Sequence, residues 1–211
     1  MGALSGGELR KLLLEHDVNR RLVITPLLEP SEQLRDDQAS IDLRLGFDFA
    51  LVSPSKYASI DEMVESALFA NPEAFPGLYR RHYVPFGKCI VIHPHQFILA
   101  STLEYIRLPW DLMAYVVGRS TWGRLGLIVA TAVGVQPRFA GTLTLELRNL
   151  GETPINLYPG EVISQLFVHR IEGASGDAAQ GVGQYTGLID LLPRQLSSAT
   201  TKAKLKKLGG A

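Results

Sequence analysis

Two short stretches of this sequence gather the residue types that polar chemistry needs. Gly118-Arg119-Ser120-Thr121-Trp122-Gly123-Arg124 sets a glycine, two hydroxyls and two arginines in one run at the end of an apolar segment. Glycine lets a backbone approach a ligand closely, hydroxyls and amides donate to phosphate, and arginine grips phosphate with paired hydrogen bonds. A structural use of the same residues competes: Ser120 capping a short helix, with Arg119 and Arg124 in surface ion pairs. In the second stretch, Gly141 to Asn149, Leu143, Leu145 and Leu147 face one side while Thr142, Thr144, Glu146 and Arg148 face the other. Glu146 is then either paired with Arg148 on a wet face or set in a polar concave interior. In the second setting a carboxylate positions water as a general base. Asp42 and Arg44 share the polar face of another strand, where a local charge pair is the simplest use of both. His93-Pro94-His95 brings two imidazoles together without a third histidine or cysteine nearby in sequence, which is thin for a metal site. The chain has no Gly-x-Ser-x-Gly elbow and no Cys–His nucleophile pair.

These residues need strands to hold them. The N-terminus reads as a short helix: Ser5 and Glu8 fit a capping box, and Leu9, Leu12 and Leu13 share one helical face. From Ser40 the period becomes two, with Ile41, Leu43 and Leu45 alternating with Asp42 and Arg44; Gly46 ends that strand and a second follows over 47–52. Residues 53–85, with four prolines, read as an insertion or long loop that holds a short helix over 60–69. Strands are expected over 89–93, 96–104, 112–117, 127–133, 141–149, 155–157 and 162–169, with a helix near 120–126. Many short strands with short turns predict a mainly β fold, a sandwich or barrel with a few helices attached. Residues 173–187 are rich in glycine, alanine and serine, and 191–211 form a basic tail without an acid, read as solvated chain.

Composition narrows the function classes. The 211 residues suit one ordinary domain or two small ones, and a chain of this size buries roughly 70% of its unfolded surface. Apolar residues are 46% and charged residues 20%, which excludes wholesale disorder. Twenty-one basic residues balance twenty-one acidic ones, against general nucleic-acid binding though not against a local phosphate site. The single cysteine, Cys89, excludes an internal disulfide and any multi-cysteine zinc or iron–sulfur site, and it fits a reducing compartment. No leader-like start and no apolar run of about 20 residues is present, so a cytoplasmic, non-membrane protein is expected.

Taken together, four stretches resemble the dCTP deaminase branch of the trimeric dUTPase-like superfamily. They are Ser40-Ile-Asp-Leu-Arg-Leu-Gly46; Phe97-Ile-Leu-Ala-Ser-Thr-Leu-Glu-Tyr-Ile-Arg-Leu-Pro109; Gly118-Arg-Ser-Thr-Trp-Gly-Arg-Leu-Gly-Leu127; and Gly141-Thr-Leu-Thr-Leu-Glu-Leu-Arg-Asn149 leading into Pro159-Gly-Glu-Val-Ile-Ser-Gln-Leu166. The resemblance implies a distorted β-barrel or jelly-roll over 1–190, forming a homotrimer with nucleotide sites shared between subunits. It implies deamination of dCTP to dUTP without zinc, with magnesium carried on the triphosphate; some members also take the product on to dUMP. Zinc-type nucleobase deaminases need a Cys-x-x-Cys pair that this chain lacks.

By position the resemblance makes Glu146 the general base for water attack at cytosine C4, and Ser120 and Arg124 polar groups at the triphosphate and reaction centre. Arg119 and Thr121 fall in the phosphate loop, Ala132 where the backbone meets the base, and Tyr185 in a closing segment. The sequence departs from the pattern at Gln136, where both branches usually carry the aspartate that contacts the 3′-hydroxyl and, in dUTPases, orients the attacking water. Glutamine can bind the sugar but cannot serve as a carboxylate base. Gly134 replaces a common arginine, Gln184 a phosphate-binding lysine and Leu188 a glutamine. These departures leave a non-catalytic or altered-substrate nucleotide-binding protein as the alternative, with dUTP pyrophosphatase third.

Overall fold

A computed structural model describes residues 2–52, 79–131 and 134–173. The chain divides into two compact units, Met1–Leu51 with Arg81–Leu191, and Val52–Arg80 with Leu192–Ala211. The account below concerns the first; of the second, only Val52, Tyr79 and Arg80 are described, at strand ends. The expected helix over 60–69, most of the 53–85 insertion and the 191–211 tail lie outside the described residues.

Helix α1 (Gly6–Leu13) forms as its sequence predicts. The Ser5 N–H donates to Glu8 Oε2 at 3.0 Å and the Glu8 N–H returns to Ser5 Oγ at 3.4 Å, closing the capping box. Leu9 is fully buried, and Leu12 and Leu13 pack against the same core. Four elements were not expected from the sequence: strand β1 (Val23–Thr25), the single helical turn α2 (Pro30–Gln33) and strand β8 (Gly134–Val135), all too short to show a period, and strand β3 (Tyr79–Tyr83), inside the stretch expected to be an insertion or long loop.

Strand β2 runs without a break from Ile41 to Val52, so Gly46 does not end it. The glycine serves a close approach instead. A Cβ there would lie 2.5 Å from Ser101 Oγ and 2.8 Å from the Thr102 carbonyl oxygen of the neighbouring strand. The pairing register shifts between Leu45 and Phe49 at this point, as glycine in a strand interior often marks.

The remaining strands are β3 (Tyr79–Tyr83), β4 (Ile90–Ile92), β5 (Phe97–Arg107), β6 (Leu112–Gly118), β7 (Leu127–Val129), β8 (Gly134–Val135), β9 (Ala140–Asn149), β10 (Ile155–Leu157) and β11 (Val162–Arg170); the short helix α3 (Ser120–Arg124) sits between β6 and β7. One sheet has the order β7-β9-β5-β2-β11-β6-β8, with β1 added on β5 and β3 on β2; β10 and β4 pair separately. Of the strand expected over 127–133, β7 takes Leu127–Val129, and 132–133 lie outside the described residues. Its successor β8 pairs with β6, at the far edge of the sheet. The sheet curls into a half-barrel, and Gly118 at the end of β6 lies against Val129 of β7. The fold is mainly β, as predicted, and its core is built by Leu43, Leu45, Ile98, Ile106, Leu145, Leu147 and Leu166, all fully buried.

Candidate functional site

The loop after β6 is set by backbone and tryptophan together. The Arg119 N–H donates to the Ile163 carbonyl at 3.1 Å, and Trp122 Nε1 donates to the Val162 carbonyl at 2.9 Å. Both acceptors lie on β11, so the loop is tied down at two points. Ser120, Thr121 and Arg124 are left exposed. Ser120 is the first helical residue and does not cap α3; Arg119 holds the capping position and makes no side-chain cap bond. Gly118 is needed for internal packing, because a Cβ there would stand 3.0 Å from Val129 Cβ.

Arg119 is not in a surface pair. Its Nη1 donates at 2.8 Å to Oδ2 of Asp42, a largely buried carboxylate on β2. The other oxygen, Oδ1, accepts from Gln165 Nε2 at 3.0 Å, and that amide also reaches Ser40 Oγ at 3.2 Å. Gln165 and Asp42 are register partners on β11 and β2, so sheet pairing brings them together. The local pair of Asp42 with Arg44 does not form, because each has its own partners. Arg44 Nη1 donates to Gln33 Oε1 at 2.6 Å and Nη2 to Glu29 Oε2 at 2.9 Å.

Beneath Asp42 lies a buried polar knot. Gln33 Nε2 donates both to the Asp42 carbonyl at 3.1 Å and to Glu104 Oε1 at 2.9 Å. Glu104 Oε2 accepts the Arg44 N–H at 2.9 Å. Glu104 is fully buried, and loss of water pushes its carboxyl up to about 7, against the opposing pull of those hydrogen bonds and the Arg44 charge.

A second group lies along β9. Leu143, Leu145 and Leu147 are buried, while Thr142, Thr144 and Glu146 are half-buried and Arg148 is exposed. The Glu146 N–H donates to Thr131 Oγ1 at 3.0 Å, and its carbonyl accepts the Ala130 N–H at 2.7 Å. Partial burial raises its carboxyl above the ordinary range. Among the described residues Glu146 forms no ion pair with Arg148, so the carboxylate is left for other work. Gln136 is exposed in the turn before β9, where its carbonyl accepts the Phe139 N–H at 3.2 Å. Ala132, Gln184, Tyr185 and Leu188 lie outside the described residues. Among those described, no hydrogen bond or ion pair joins Glu146 to Arg119, Ser120, Thr121 or Arg124.

A loop of exposed hydroxyls and arginine, a half-buried carboxylate without an ion pair among the described residues, and a curled antiparallel sheet now have a sequence counterpart. Residues 3–171 match the family described as dCTP deaminase-like. The chain belongs to that family. It is 38% identical over 169 residues to a protein of Dictyoglomus turgidum named dCTP deaminase, dUMP-forming, covering 80% of each chain. A Methanobrevibacter smithii protein of the same name is 36% identical, covering 74% of this chain and 76% of that one. A Natronomonas pharaonis protein named dCTP deaminase is 37% identical, covering 77% of each. In fold, the chain resembles the crystal structure of 2′-deoxycytidine 5′-triphosphate deaminase from Agrobacterium tumefaciens, with a TM-score of 0.57 and 23% identity. That match covers 79% of this chain and spans about half, 48%, of the other.

For this dCTP deaminase-like chain, sequence reasoning missed the residues under the loop. Gln165 and Asp42 stand in stretches that carry the family resemblance, yet neither was singled out as a partner of Arg119. Alternation over 41–45 read Asp42 as a residue of a polar face, whereas the structure buries both faces of β2 there, and a buried carboxylate needs partners. Gln33 and Glu104 gave none, because their meeting depends on a turn too short to show a period.

Proposed function

We propose that the protein deaminates dCTP, converting dCTP and water to dUTP and ammonia. The observation that carries this reading is Glu146: a half-buried carboxylate on the polar side of β9, with its affinity for protons raised, in a chain of the dCTP deaminase-like family. The carboxylate takes a proton from water as the oxygen adds to cytosine C4, and the exocyclic nitrogen leaves as ammonia after gaining protons. Arg124 and Ser120, exposed on α3, orient the water and stabilise charge at the reacting ring; Arg119 and Thr121 meet the triphosphate. Ala132, Gln136, Gln184 and Tyr185 complete the nucleotide contacts in this reading.

Magnesium, when bound on the triphosphate, neutralises phosphate charge. Among the described residues no three of His, Cys, Asp and Glu converge, so a cation here fits phosphate and water oxygens as its ligands. The proposed enzyme works as a homotrimer. Among the described residues no hydrogen bond or ion pair joins Glu146 to the Arg119–Arg124 loop, which leaves room for a second subunit to complete the site. No helix among the described residues is long and apolar enough to cross a membrane. Its single, free cysteine suits a reducing compartment, and the reading places the enzyme in the cytoplasm.

The proposed product is dUTP. Seven relatives, 35–38% identical to this chain, carry names with a dUMP-forming step, but Gln136 offers no carboxylate to orient a second water. Chromatography with ammonia detection tests all of this: dCTP with magnesium should yield equimolar dUTP and ammonia, and Glu146→Gln should abolish both while still binding dCTP. Normal turnover by Glu146→Gln would overturn the mechanism, and dUMP from the wild-type protein would overturn the argument from Gln136. Nucleotide binding without ammonia release would leave a binding protein as the function.

A further inference from the structure

We infer that Asp42 is a positioning residue: it fixes the guanidinium of Arg119 so that the rest of its donor fork faces the nucleotide's phosphates. The inference rests on the reading of Arg119 as a phosphate contact and names what makes that contact specific. An arginine presents five N–H donors in a rigid plane. Here one N–H of Nη1 donates to Asp42 Oδ2 at 2.8 Å, which restrains the guanidinium and leaves the donors on Nε and Nη2 for an anion.

An acidic group close to a triphosphate is costly unless its charge is already satisfied. Asp42 meets that condition, since one oxygen is held by Arg119 and the other by Gln165 Nε2 at 3.0 Å. Its backbone is fixed as well: the Asp42 carbonyl accepts from Gln33 at 3.1 Å, and Gln33 is in turn held by Arg44 at 2.6 Å and by buried Glu104 at 2.9 Å. A carboxylate held at both oxygens, on a backbone itself held by Gln33, is a stable anchor for a long, otherwise mobile side chain. Among the described residues, Asp42 is the one side chain paired with Arg119, whose own side chain stays 37% exposed and within reach of solvent and ligand. A binding group supported in this way loses less freedom when ligand arrives.

The test is a double-mutant cycle read by dCTP binding in a calorimeter with magnesium. Asp42→Asn keeps the shape but removes the charge: with its NH2 turned to Arg119 the fork is released, and with its NH2 turned to Gln165 a neutral oxygen holds the guanidinium more weakly than a carboxylate does. The variant should weaken dCTP binding about tenfold or more. In an Arg119→Ala background the same change should cost less than about twofold, because the residue it positions is gone. Undiminished affinity in Asp42→Asn, or an equal loss in both backgrounds, overturns the inference. Thermal melting checks that the variants fold. If Asp42→Asn does not, Arg119→Lys decides: one ammonium has no fork to fix, so about a tenfold loss is expected, and wild-type affinity would overturn the inference. If wild-type protein binds dCTP without releasing ammonia, the deaminase reading fails while the cycle still reports on Asp42. If it binds no dCTP, both fail.

Discussion

Glu104→Gln should flatten the dependence of stability on pH. In the folded protein the Glu104 carboxyl titrates near 7, against an ordinary value of 4.5, because burial removes its water. Between those values the folded state keeps the proton that the unfolded chain has released. Stability therefore falls as pH rises through this window, and the loss is complete once pH exceeds the folded value. Each pH unit of displacement is worth about 1.4 kcal/mol, so the full difference is about 3 kcal/mol. That is a large share of the ~5–15 kcal/mol that holds an ordinary domain folded. Glutamine does not titrate. Its oxygen can accept from either the Arg44 N–H or Gln33, but its NH2 then faces the other donor, at a pH-independent cost of about 1–3 kcal/mol. The cost sets an offset and the titration sets a slope, so the two separate. Urea unfolding of both proteins across about pH 5 to 8, at one fixed protein concentration, measures them. The wild-type protein should lose about 3 kcal/mol relative to the variant from the acid to the alkaline end. Parallel curves would refute the reasoning, as would a wild type that gains on the variant with rising pH, which would mean that the Arg44 charge outweighs burial.

Two further outcomes follow from the same geometry. If ionised Glu146 is the base, the acid limb of kcat/KM for dCTP must lie above the ordinary carboxylate value of 4.5, since burial raises this carboxyl; a limb at or below it would remove Glu146 from that role. Gly46→Ala should cost about 1–3 kcal/mol, because the new methyl meets a backbone carbonyl that cannot rotate away. At roughly 2–4 °C per kcal/mol for a chain of this size, thermal melting resolves it, and an unchanged Tm would show that β2 and β5 part without penalty.

How much of this was legible depended on how local the cause was. The capping box of Ser5 and Glu8 lies within one turn, and α1 follows from it. β9 declared its two faces because alternation is local, and Glu146 fell opposite the leucines as expected; whether that polar side was wet or enclosed was left open by the alternation, and the structure makes it half-buried. β10 appeared at its predicted residues. Gly46 misled because a glycine marks both a chain end and a crowded crossing, and only the position of Ser101 on another strand distinguishes them. Asp42 and Arg44 misled in the same manner. Their nearness in sequence suggested a pair, but Arg119 and Gln165 arrive from β6 and β11, and Gln33 from α2. A charge pair between neighbours on an exposed strand gains little, so partners that come with burial displace it.

The polar knot beneath the loop makes sense only when stability and placement are weighed separately. Burying Glu104 and Arg44 costs desolvation that well-packed apolar side chains would not incur, and the raised Glu104 carboxyl shows part of that cost persisting after every hydrogen bond is counted. What the arrangement supplies is directional. Apolar packing would hold β2 as firmly, but it would not orient a carboxylate. Gln33 bridges the Asp42 carbonyl and Glu104, and Gln165 fixes the remaining Asp42 oxygen. Arg119 is thereby aimed from a strand by bonds that have preferred angles. The exposed hydroxyls of Ser120 and Thr121 have no such support among the described residues, so precision at this loop enters through Arg119. Changes beneath the loop should therefore reach nucleotide binding through that one side chain.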